Sequence, residues 1–189
     1  MWLINVHNGI PGKLKRIDIN EYPSLKEHFD GFGEKLIKRA DQGDTPYNLR
    51  PCIYLDDFCK QKIVYADIAA QIGFAISHKG EFLGNTAYFI TFIDNAEEGE
   101  IQYLTNVLNS KLLRWYYRHI SVQLGSQAAR MFTIYMVKMP VPDYDLSRYP
   151  ERKLLAESFG DEQKINNMVY NLFSLTKNEI DYIDEISVS

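Results

Sequence analysis

Residues 97–121 read EEGEIQYLTNVLNSKLLRWYYRHIS, and shortly before them residues 87–93 read AYFITFI. The first stretch carries Ile101, Leu104, Leu108, Leu112, Trp115, Tyr116 and Ile120 at three- and four-residue intervals, the spacing of one helix face. Asn109-Ser110 interrupts it with side chains suited to an N-cap, so it is expected to divide into two helices. The second stretch is dominated by β-branched and aromatic residues, which suits a pleated, half-buried strand. The rest of the chain mixes strands and helices without regular βαβ alternation. The predicted class is therefore α+β, a twisted mixed or antiparallel sheet packed against helices, with a C-terminal helical segment. In that arrangement the stripe Leu104, Leu108, Leu112, Trp115 packs on the strands around Phe89.

Toward the N-terminus, 62–65 (KIVY) and 74–77 are further strand candidates. Pro23 sits where a first helical residue is tolerated, and Leu25, Phe29, Phe32, Leu36 and Ile37 follow at helical spacing. A helix over 23–42 is predicted, weakened at Gly31 and Gly33. Residues 2–6 alternate as a strand would, Asn8-Gly9 and Pro11-Gly12 mark a turn, and 14–19 reads as extended, so 1–20 is expected to form an edge hairpin. Toward the C-terminus, 131–139 reads as extended until Pro140 and Pro142 stop it. The chain is helical again from Tyr149, and Thr176-Lys177-Asn178-Glu179 fits a capping box. The expected organisation is a main domain over 1–145, with its sheet and long helix in 60–140, and a helical extension over 146–189.

The chain has 189 residues, 46% hydrophobic and 24% charged, enough to bury a core without staples. No apolar run approaches the roughly 18 residues of a membrane span, and residues 1–9 lack a basic stretch followed by an apolar core. Cys52 and Cys59 are seven apart with no His at ligand spacing, which reads as two reduced thiols in a cytoplasmic setting. Net charge is −4, unevenly placed: 16 basic and 15 acidic residues up to Pro140, then 5 basic and 10 acidic. A nucleic-acid-facing surface would have to be local, because phosphate neutralisation supplies most non-specific affinity. The acidic tail is expected to face another domain or subunit.

No GxGxxG, Walker loop, GxSxG, HExxH or CxxC is present. The Asn/Asp-Pro-Pro-aromatic motif and Gly-rich loop of an adenine methyltransferase are missing too, and no two prolines are adjacent. His7, His28, His78 and His119 are scattered without partners at ligand spacing. Asp143 after Pro142, with Glu151-Arg152-Lys153, spells the PD…ExK pattern of metal-dependent nucleases. Pro150, however, makes Glu151 a first-turn helical residue rather than a strand ligand. No catalytic or metal-ligating residue is assigned. Polar and basic residues near aromatics are more suggestive, since base edges and phosphates require Arg, Lys, Asn, Gln and Ser. The candidates for DNA contact are Arg39, Arg50, Lys62, Lys79, Asn85, Gln123, Ser126, Gln127 and Arg130.

Several segments carry a resemblance in their shared order. They are EYPSL (21–25), LIKR (36–39), PYNLR (46–50), KIVY (62–65), NTAYFI (85–90), YLTNVLNSKLL (103–113), MPVP (139–142) and VYNLFSLTKNEI (169–180). Together they resemble the TaqI-like C-terminal specificity domain of type II restriction-modification enzymes that fuse methyltransferase, endonuclease and specificity functions. LNSKLL before Pro-x-Pro is the most specific element. The resemblance implies a bacterial target-recognition domain, 1–145, that docks in the major groove of double-stranded DNA. There it reads bases flanking a target adenine beside a separate adenine-N6 methyltransferase. It implies a piece of a larger enzyme, or a partner of one, with S-adenosylmethionine and magnesium used only by the methyltransferase and endonuclease domains. The alternatives are a metal-dependent nuclease using Asp143, Glu151 and Lys153, and a protein-interaction scaffold built on the aromatic helix.

Overall fold

The computed structural model describes residues 2–94, 96–125 and 128–187. The chain divides into two compact units, Met1–Cys59 and Lys60–Ser189, rather than near residue 145.

In the first unit, α1 spans Pro23–Asp30 and α2 spans Glu34–Ile37. The single helix expected over 23–42 is broken at residues 31–33. Gly33 adopts φ 53°, a left-handed backbone that side chains with a Cβ rarely take. Neither helix buries a residue fully. The unit is organised instead by buried Val6, Ile19, Asn48 and Phe58. The Asn48 amide donates to the carbonyls of His7 at 3.2 Å and Ile17 at 3.0 Å, and its own amide oxygen accepts from the Thr45 hydroxyl at 2.6 Å. The His7 carbonyl also accepts from the Ile17 N–H at 3.2 Å, among the described residues the one backbone bond between the two arms beyond the turn. No regular ladder forms in the edge hairpin expected over 1–20, whose bridge is Ile10 with Leu14 around the Pro11-Gly12 turn. Cys52 and Cys59 are free thiols.

The second unit opens with β1, Lys62–Ala66, then β2, Ile68–Ala69, β3, Phe74–Ser77, and β4, Ala87–Ile90. Two helices follow, α3, Glu100–Asn109, and α4, Lys111–Ile120. They are divided as the sequence suggested. Ser110 leaves helical geometry at ψ 153°, accepts from the Leu113 N–H at 3.3 Å, and donates to the Val107 carbonyl at 2.7 Å. Next come β5, Gln123–Leu124, β6, Ala128–Arg130, and a single helical turn, α5, Thr133–Met136. The extended run expected over 131–139 is therefore corrected. The Met131 N–H makes a last strand-like bond to the Asp67 carbonyl, and the chain then coils to seat Met136 in the core. Three C-terminal helices complete the unit: α6, Arg152–Glu157, α7, Glu162–Leu172, and α8, Lys177–Ser187. The capping box forms, with Glu179 Oε2 accepting from the Thr176 N–H at 2.8 Å and the Thr176 hydroxyl at 2.7 Å.

The strands form two antiparallel three-stranded sheets, in the orders β3-β1-β4 and β2-β6-β5. One core lies between the strands and helices α3–α5, around Ile63, Tyr65, Phe74, Ile101, Leu108, Tyr117 and Met131. A second holds Tyr103, Val107, Leu112 and Leu113 against Leu155, Ile165, Val169, Tyr170 and Ile183. The break at Ser110 sends the expected stripe two ways. Leu104 and Leu108 meet the first core, and Leu112 and Trp115 meet the second. The helices after residue 145 thus supply half of a core that α3 and α4 share. Among the described residues no helix is long and apolar enough to cross a membrane.

Candidate nucleic-acid interface

A single residue, Asp67, separates β1 from β2, and the strand changes sheet there. Its N–H donates to the Thr86 carbonyl beside β4 at 2.9 Å, and its carbonyl accepts from Met131 after β6 at 2.9 Å. Its carboxylate Oδ2 accepts from Arg130 Nη1 at 2.9 Å. Arg130 also lies over the Phe132 ring, 5.0 Å from its centroid, and its carbonyl accepts from the Tyr117 hydroxyl at 3.0 Å. The pair is mostly buried, with side chains 31% and 25% exposed for Arg130 and Asp67. An ion pair this sheltered loses less to solvent screening than a surface pair does.

Register decides which candidates share this end of the unit. Ala66 pairs with Ala87 and Ile68 with Arg130, so Asn85, Asp67 and the β5–β6 hairpin gather around the C-terminal end of β1. Lys62 pairs with Ser77, which puts Lys79 past the opposite end of β1. At about 3.3 Å per residue, the length of β1 separates Lys79 from Asn85 by roughly 15 Å or more. Lys79 and Asn85 are both exposed, but they do not belong to one cluster.

Lys62 requires a correction. It is 0% exposed, and its ammonium donates to the carbonyls of Lys60 at 3.3 Å and His78 at 3.0 Å. It is a framework residue with no surface to offer a duplex. In the first unit, the Arg39 guanidinium donates to the Pro46 and Asn48 carbonyls and fastens that loop. Arg50 is exposed and loosely paired with Asp41 at 3.8 Å. Gln123 folds back to close α4, donating to the Arg118 carbonyl at 2.8 Å and the Ser121 hydroxyl at 2.9 Å. Ser126 and Gln127 lie outside the described residues.

Two side chains absent from the sequence candidates stand out on the β2-β6-β5 sheet. Ala69 and Ala129 are buried on its inner face. Ile68 and Leu124 are 51% and 41% exposed, and their register partners are Arg130 and Ala128. Alternation along each short strand puts these four on the outer face. Arg118 lies close by, donating to the Ala70 carbonyl at 2.7 Å. The outer face thus combines aliphatic side chains, a buttressed cation and, at its edge, the exposed Asn85-Thr86 turn. The alternation of Ile68 with Ala69 was the available signal, but two-residue strands are too short to be recognised from sequence.

Elsewhere in the unit, the PD…ExK residues are arranged as a helix start. Glu151 precedes α6, Lys153 pairs with Glu157 at 3.9 Å, and Arg152 donates to the Asp143 carbonyl. Among the described residues, no three His, Cys, Asp or Glu side chains are grouped to hold a metal ion.

The second unit is thus an α+β framework with a short hairpin braced by the Asp67–Arg130 pair. Residues 13–141 match the family model of the TaqI-like C-terminal specificity domain, and the chain belongs to that family. Membership puts it among the DNA-specificity domains of restriction-modification enzymes. The match ends at Val141, before the three C-terminal helices. No curated protein matches the chain.

Proposed function

We propose that this chain reads a short sequence in double-stranded DNA and positions a separate adenine-N6 methyltransferase, with or without a fused endonuclease, on that site. The setting is the cytoplasm of a bacterium with a type II restriction-modification system. S-adenosylmethionine and magnesium act only in the partner domains, and bond-making belongs to them. The observation carrying this reading is the outer hairpin face inside a specificity-domain family: Ile68, Leu124 and Ala128 beside Arg130, held by Asp67. The B-DNA major groove, about 12 Å wide, admits a two-stranded ribbon. Aliphatic side chains contact thymine methyl groups there, and Asn85, Ser126 and Gln127 supply donors and acceptors for base edges. Arg118 brings positive charge to this face while the charge of Arg130 is balanced by Asp67, so few phosphates are neutralised and affinity for the isolated chain is low.

The test is selection of bound duplexes from a randomised pool at low salt, with the chain alone and with its methyltransferase supplied. Enrichment of one short motif, sharpened by the methyltransferase, is the expected result. Absence of any duplex binding at low salt contradicts the reading.

A further inference from the structure

An open cleft of about 690 Å³ lies in the first unit, formed by residues 8–16 with Asp44 and Pro51. It is lined by three cations, Lys13, Lys15 and Arg16, against the single carboxylate of Asp44. Its wall is a fixed turn. Ile10 and Leu14 bridge across Pro11-Gly12 with N–H to carbonyl distances of 2.8 and 2.9 Å. Gly9, at φ 77°, lets the backbone close, because a Cβ there would stand 2.4 Å from the Leu14 carbonyl oxygen. Asn8 and Asp44 lock the far side through reciprocal bonds of 3.1 and 2.8 Å.

The cations are oriented but not consumed. Arg16 meets Asp44 at 3.4 Å with both side chains exposed, and exposed Lys13 meets half-buried Asp56. Such pairs are weak and exchange readily for another anion. Lys15 makes no ion pair among the described residues.

We infer that this cleft binds a phosphate group, supplied by a backbone phosphodiester of the duplex, with Lys15 and Arg16 as the contacting cations and Lys13 at the rim. The inference rests on the DNA-reading function proposed above. Its role is anchoring: phosphate contacts fix register and orientation and carry no base information. An open cleft suits a polymer passing over it better than an enclosed small molecule.

The experiment measures duplex affinity of the whole chain against salt for Lys15→Ala, Arg16→Ala and the double variant, using several unrelated duplexes. Each lost phosphate contact should lower the slope of log affinity against log salt by about 0.9, equally for every sequence. Wild-type binding with unchanged slopes in all three variants overturns the cleft and leaves the DNA-reading function standing. If the wild type binds no duplex, that function falls, and inorganic phosphate decides the cleft by amide NMR. Shifts confined to residues 9–16 support a phosphate site fed by free phosphate, and no shift overturns it.

Discussion

Arg130 and Asp67 are 63 residues apart in the chain and 2.9 Å apart in the fold, at the point where one strand passes from the first sheet to the second. Asp67 contributes both backbone groups and its carboxylate to that junction. Its remaining carboxylate oxygen, Oδ1, is buried with no hydrogen-bond partner among the described residues. The charge is therefore balanced mainly by Arg130.

Arg130→Ala should destabilise the second unit by about 1.5–3 kcal/mol, the range for losing a hydrogen bond to a largely buried charge. In urea the midpoint should fall with little change in slope. Asp67→Asn with Arg130→Met should recover part of the loss, because the uncompensated carboxylate is gone. A midpoint for Arg130→Ala equal to wild type would show that the pair does not hold the junction.

Lys62 gives a sharper separation of framework from interface. Its ammonium serves two carbonyls inside the unit. Lys62→Met removes the donors and leaves those carbonyls less satisfied, at a cost of about 1–3 kcal/mol. The salt dependence of DNA binding should be unchanged at temperatures where the variant is folded. A reduced salt slope would mean that Lys62 reaches phosphate.

Burial pushes Tyr103 up to about 12, and its hydroxyl donates to the Pro142 carbonyl at 3.1 Å. Tyr117 and Tyr170 are raised for the same first reason, burial. A raised folded value means that the fold prefers the neutral phenol. The stability it contributes is full below pH 10, the ordinary tyrosine value, and is lost as pH rises toward about 12. Denaturant midpoints should therefore decline across that window, in step with tyrosinate absorbance. Tyr103→Phe should make the decline shallower. Stability that stays level through the window would contradict this assignment.

The strands 62–66, 74–77 and 87–90 were legible because β-branched and aromatic residues cluster there between turn residues. The helix break at Ser110 and the Thr176 capping box were legible because each is a local exchange of hydrogen bonds within a few residues. Fold class follows from those pieces. What escaped depends on pairings distant in sequence. Lys62 is buried because the β1–β3 register brings the His78 carbonyl to its ammonium. The Asp67 junction needs Arg130, and the division after Cys59 reflects two contact networks rather than a change in composition. Residue type suggests nine side chains for DNA contact, but type does not say which side chains are already occupied. Arg39 and Gln123 are bonded within the fold, while the outward placement of Ile68 and Leu124 emerges only from two-residue strands.

The most direct measurement is the ratio of affinities for a selected duplex and for a scrambled one, taken for wild type and for the exposed variants Leu124→Asp and Ile68→Asp. If the outer face of the β2-β6-β5 sheet reads bases, each variant should lose about fivefold or more in that ratio, the low end of the range for a specific base contact. Thermal stability should stay close to wild type. An undiminished ratio in both variants, with the proteins folded and binding DNA, would remove this face from sequence reading.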